Sequence, residues 1–147
     1  MFKHLKTMVR HPQYSEPVAV DKDIAPLIRA LWQIGINTDE SCQNVGPGSV
    51  WILFSTGQDA LKFLSAVATI RDMEEPDAAN RLYFRMLNGE GGWKYDVVPW
   101  DLNLVFESHQ EYGEFMGPPE MVLPVGVQFP IEDYFRVLHL IKRQQVV

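Results

Sequence analysis

The chain has a single cysteine, Cys42, among its 147 residues. That excludes an intramolecular disulfide and any zinc site built from several thiolates. No apolar run approaches the roughly 20 residues needed to cross a bilayer, so no membrane span is expected. The opening stretch "MFKHLKTMVRHPQY" lacks the apolar segment of a signal peptide, which makes the cytosol the expected compartment. Basic residues are scarce, 13 against 19 acidic ones for a net charge of −6, and this argues against a surface built to bind nucleic acid. The Gly-Lys-Ser/Thr ending of a P-loop, a dinucleotide glycine fingerprint, a His-x-x-x-His pair and an EF-hand pattern are all missing. No cofactor and no metal are therefore expected.

What remains is an ordinary folding composition. With 46% hydrophobic and 22% charged residues the chain is far from the signature of disorder. Its length suits one domain that buries about 70% of the surface exposed by the unfolded chain. The reading is a basic N-terminal arm over residues 1–15, with Lys3, His4, Lys6, Arg10 and His11 before the first acid, Glu16, followed by a single domain over 16–147.

Three segments pair a short β-rich run with an amphipathic helix. In "PVAVDKDIAPLIRALWQIG", Ile24, Leu27, Ile28 and Leu31 recur on one helical face, Pro26 suits the first turn, Asp23 is the favoured cap over Asp21, and Gly35 ends the helix. In "SVWILFSTGQDALKFLSAVATIRDM", Thr56 and Asp59 approximate a capping box, and Leu61, Leu64, Val67 and Ala68 form the expected buried stripe. In "GVQFPIEDYFRVLHLIKRQ", Pro130 opens a helix whose expected inner face is Ile131, Tyr134, Phe135 and Leu138, with Lys142 and Arg143 at the negative end of its dipole. A further helix is expected from about 76 to 88, opened by Pro76 and closed by Asn88-Gly89. "WKYDVVPWDLNLVFE" alternates on both sides of "PWD" and predicts a β-hairpin, and "SHQEYGEFMGPPEMVLP" predicts a long loop or lid. The fold class that follows is α+β, a two-layer sandwich in which an antiparallel or mixed sheet of four to six strands carries helices mainly on one face.

The most informative polar stretch is "SCQNVGPGS". Ser41, Gln43 and Asn44 offer donors and acceptors, while Gly46 and Gly48 allow a turn that points backbone N–H groups inward. The competing interpretation is a plain connection between adjacent strands. Cys42 admits three roles: buried small side chain, pocket wall or nucleophile, the last needing a base that no nearby histidine supplies. The aromatic residues Trp51, Trp93 and Tyr95 could floor a pocket for a planar group, and His109 is the histidine placed in a loop. The expected ligand-binding set is thus Ser41, Cys42, Gln43, Asn44, Gly46, Gly48, Trp51, Trp93, Tyr95 and His109. No catalytic residue is assigned.

The motif V-D-x-x-I-A-P-L-x-x-A-L-W-x-x-G-I-x-T-x-x-S-C, carried by "VDKDIAPLIRALWQIGINTDESC" and followed later by "GVQFPIEDYFRVL", resembles a group of small uncharacterised bacterial and phage proteins. The resemblance covers about a third of the chain. It implies a compact α+β domain in a viral or mobile-element setting, hence a host cytoplasm. The leading functional expectation is a non-catalytic binding protein for a small polar, nucleotide-like ligand near residues 41–49. One alternative is an acidic inhibitor that engages a host protein through Glu111, Glu114 and Glu120. The other is a small hydrolase or transferase using Cys42 or the Glu107/His109 pair, which lacks a complete nucleophile, base and orienting group.

Overall fold

The computed structural model describes residues 5–43, 48–68, 81–89, 92–97, 103–105 and 120–144. The elements run β1 (Lys6–Val9), β2 (Val18–Asp21), α1 (Ala25–Gln33), β3 (Thr38–Cys42), β4 (Ser49–Phe54), α2 (Gly57–Val67), α3 (Leu82–Asn88), β5 (Lys94–Val97), β6 (Asn103–Val105), β7 (Glu120–Val122), β8 (Val125–Pro130) and α4 (Tyr134–Arg143). The fold is α+β. Its main sheet is antiparallel with the order β3-β4-β8-β5, and β1-β2 and β6-β7 form separate antiparallel pairs.

The pleat explains where the core lies. Register places Val50 beside Phe129 and Ile52 beside Val127, so these side chains share one face of the sheet, and all four are fully buried. Phe63 of α2 reaches this face, with its ring 4.9 Å from Phe54 and 6.4 Å from Phe129. Trp93 stacks on Phe129 at 5.1 Å. Its indole N–H donates to Asp133 at 2.9 Å, and the same buried carboxylate pairs with Arg85. Asp133 therefore joins α3, the start of β5 and the start of α4.

Local signals hold for the first two helices. Ile24, Leu27, Ile28 and Leu31 are fully buried, Pro26 sits in the first turn of α1, and Gly35 stops the helix at φ 82°, a conformation that costs glycine little. Thr56 caps α2 by accepting the Asp59 N–H at 3.0 Å. The Asp59 carboxylate accepts in turn from the Thr56 hydroxyl and from the Asn37 N–H.

Several expectations are corrected. A 3-10 turn over Lys22–Ile24 precedes α1, and neither Asp23 nor Asp21 caps the helix through its side chain. In α2 the expected Val67 is buried and Leu64 packs half-buried on the core, but Ala60 and Phe63 complete the inner face and Leu61 is 63% exposed. The inner face of α4 is Tyr134, Val137, Leu140 and Ile141, whereas Ile131 and Phe135 are exposed. A 3-10 turn over Ile131–Asp133 explains the second shift, because its tighter winding breaks the helical phase extrapolated from Ile131.

The "PWD" turn of the expected hairpin lies outside the described residues, and among the described residues β5 pairs with β8 and β6 with β7 rather than with each other. Alternation fixes that a segment is a strand but not which neighbour completes its hydrogen bonds. Of the segment expected as a long loop or lid, residues 108–119 lie outside the described residues and residues 120–122 form β7. The basic arm, from Lys6 onward, belongs to the β1-β2 pair, with Val9 and His11 buried.

Candidate functional site: a cleft between two sheet edges

β2 and β3 lie side by side without a strand ladder, since each belongs to a different sheet. Asp21 and Gln43 join their C-terminal ends. The Gln43 N–H donates to Asp21 Oδ2 at 2.9 Å, and the Asp23 N–H donates to Gln43 Oε1 at 2.9 Å. Asp21 is fully buried and its Oδ1 meets Lys6 Nζ at 2.5 Å, which ties β1 into the same junction.

Beside that junction, whose Lys6 and Asp21 also line it, the two edges border a cleft of about 540 Å³. Its walls are residues 18–21 and 38–42, with Lys6, Tyr14, Trp32 and Trp51. Consecutive residues of each strand line it regardless of side-chain direction, so backbone edges form much of the wall. Cys42 pairs with Trp51 and Ser41 with Ile52, and the two side chains consequently leave opposite faces of the sheet. Both border the cleft because it follows the rim of β3 rather than either face.

One wall is unusually well fixed. His11 is 4% exposed, its Nδ1 accepts the Gln13 N–H at 3.1 Å, and its Nε2 contacts Asn37 Oδ1 at 2.8 Å. With Nδ1 acting as acceptor, the ring hydrogen resides on Nε2 and is donated to Asn37. Tyr14 stacks on this imidazole with centroids 3.9 Å apart and planes 16° apart, yet remains 49% exposed. Trp32, buried behind it, lies 5.0 Å from His11 and donates its indole N–H to Thr38 Oγ1 at 3.0 Å. Trp51 is set by Gly126, where a Cβ would fall 2.8 Å from its Nε1. The absent side chain lets the indole rest against β8.

Of the residues predicted from sequence, Ser41, Cys42 and Trp51 line the cleft, and Gln43 hydrogen-bonds Asp21, which also lines it. Gly48 adopts φ 75° where the chain enters β4. Asn44, Gly46 and His109 lie outside the described residues, as do Pro76, Glu107, Glu111 and Glu114. Trp93 belongs to the core rather than to the cleft. Tyr95 lies elsewhere, in an apolar hollow with Leu64, Ala68, Tyr83 and Met86. The sequence reading missed Lys6, Tyr14, Asp21, Asp39 and Glu40. Two short β-prone runs, "LKTMV" and "VAVD", flanking the turn-rich "HPQYSE" were the available signal.

Tyr95 donates its hydroxyl to the Met86 carbonyl at 3.1 Å, and desolvation pushes its phenol up to about 12. The phenol of Tyr134 is also raised, first by desolvation and further by the Asp23 charge, with the Leu27 backbone opposing. Because the folded value exceeds the unfolded one, stability from neutral Tyr95 is complete below pH 10 and is lost between pH 10 and about 12. Ultraviolet titration of the native protein should show late-ionising phenol absorbance that shrinks in Tyr95→Phe. An unchanged late component in that variant would refute the assignment.

The cleft does not assemble a nucleophile with its base among the described residues. Both ring nitrogens of His11 are engaged, and His139 is exposed on α4. No group of three His, Cys, Asp or Glu side chains is placed to hold a metal among the described residues. No helix there is long and apolar enough to cross a membrane.

Comparison with known proteins adds one similarity. Over 129 residues the chain is 30% identical to an uncharacterised protein of Acanthamoeba polyphaga mimivirus, a stretch covering 86% of this chain and 62% of that protein. The chain thus spans less than two thirds of that relative's length. No family model matches, and no solved structure matches.

Proposed function

We propose that this is a non-catalytic binding protein whose cleft between β2 and β3 holds a small polar ligand with a planar group. The carrying observation is Tyr14: its ring is half exposed at the cleft yet immobilised by stacking on the buried, doubly hydrogen-bonded His11. An aromatic surface fixed before the ligand arrives loses little entropy on binding. The cleft volume falls within the ~300–1,000 Å³ typical of small-molecule sites. The Ser41 hydroxyl, the Cys42 thiol and the strand edges supply the polar contacts that would orient such a ligand. The mimivirus relative supports a viral or mobile-element setting.

The test is a ligand panel of neutral nucleosides and small amines, read by the indole NMR signals of Trp32 and Trp51. Tyr14→Ala should weaken any binder at least about tenfold, the order of a lost aromatic contact of ~1.4 kcal/mol. Ser41→Ala should weaken it less, and both variants should melt within a few degrees of the parent. Binding that survives intact in both variants would place the ligand elsewhere.

A further inference from the structure

We infer that the cleft selects an organic cation with a planar, hydrogen-bonding head, such as a guanidinium, over a phosphate-bearing nucleotide. This rests on the binding reading above and specifies its ligand class. The cavity and its fixed aromatic rim define the site, and its charges decide the sign of the occupant.

Among the described residues, the charged side chains that line the cleft are Lys6, Asp21, Asp39 and Glu40. The one ammonium is already committed, because Lys6 Nζ meets the buried Asp21 carboxylate. That pair is neutral as a unit. Asp39 and Glu40 then remain as two exposed carboxylates on β3, and among the described residues the lining holds no further cation. Asp39 is oriented by the Ser55 hydroxyl, which donates to its Oδ1 at 2.6 Å. A phosphate entering here meets two like charges and finds Lys6, the lysine among the described lining residues, already paired.

A guanidinium meets the opposite conditions. Its flat face matches the exposed Tyr14 ring through cation–π and stacking attraction, and its forked N–H groups suit a carboxylate or the strand-edge carbonyls. His11 and Trp32 behind Tyr14 hold the ring in place, so the platform exists before the cation arrives. The chain's net charge of −6 also favours the approach of a cation over that of an anion.

The experiment uses the full chain and three probes, agmatine, cytidine and AMP, titrated separately at low ionic strength while the Trp32 and Trp51 indole signals are followed. Agmatine should shift them and AMP should not. Glu40→Gln should weaken agmatine about fivefold, the scale of one solvent-facing charge contact. Added salt should weaken agmatine in the parent more than in Glu40→Gln. Thermal melting checks that the variant folds. If AMP or cytidine binds as well as agmatine, or if Glu40→Gln binds agmatine as the parent does, the cation inference falls and the binding cleft stands. If none of the three probes moves either indole signal, both the inference and the binding reading fall.

Discussion

Phe63→Ala should destabilise the protein by about 3–5 kcal/mol, the usual cost of truncating a buried phenylalanine. Leu61→Ala, two residues away, should cost no more than about 0.5 kcal/mol, as expected for an exposed side chain. The contrast follows from burial. Phe63 is fully buried between Phe54 and Phe129, and Leu61 is 63% exposed. Denaturant unfolding with a shared m-value would measure both. Comparable losses in the two variants would mean that α2 is rotated on the sheet from the orientation described.

The second large effect belongs to Asp133. Asp133→Ala should cost about 3 kcal/mol, near the lower end for breaking a buried ion pair. The lower end applies because the Arg85 side chain is 22% exposed and regains some solvent. The change also leaves the Trp93 N–H, buried at 1% exposure, without its acceptor. At roughly 2–4 °C per kcal/mol for a chain of this size, the melting temperature should fall by about 10 °C. Asp133→Asn keeps an acceptor for the indole and should fall between. In combination with Trp93→Phe, the loss should be smaller than the sum of the two single losses, since both variants break the same indole contact. Strict additivity would show that Asp133 and Trp93 act independently.

Both predictions concern the scaffold, yet they bear on the cleft through the main sheet. β8 receives Phe63 on its helix-facing side at Phe129, and on the opposite side its Gly126 gives Trp51 room. A variant that loosens the helix-facing core without unfolding the sheet should leave the Tyr14–His11 wall intact, because that wall is anchored to the β1-β2 pair, Asn37 and Trp32.

Where local chemistry acts alone, the sequence sufficed. The face of α1, its Pro26 start and Gly35 stop, and the Thr56 cap of α2 each depend on residues within about one turn of each other. Phase was less legible. Leu61, Leu64 and Val67 make as good an apolar repeat as Ala60, Phe63 and Val67, and only the aromatic cluster on the sheet puts Phe63 innermost, with Leu64 half-buried against the core and Leu61 exposed. In α4 a 3-10 turn displaced the repeat before the helix began.

The cleft illustrates the larger division. Ser41, Cys42 and Trp51 could be singled out because polar and aromatic residues beside a glycine-rich turn are conspicuous in one dimension. Tyr14 could not, since its value comes from a histidine that Asn37 holds from 26 residues away. Nor could the pairing of β5 with β8, because alternating side chains state that a strand has two faces and say nothing about which backbone lies beside it. Local propensity and burial pattern thus determined the elements and their composition as an α+β domain. Only tertiary structure decided which strand edges stay apart to leave a cleft, because long-range hydrogen bonds and packing depend on partners that a local pattern does not name.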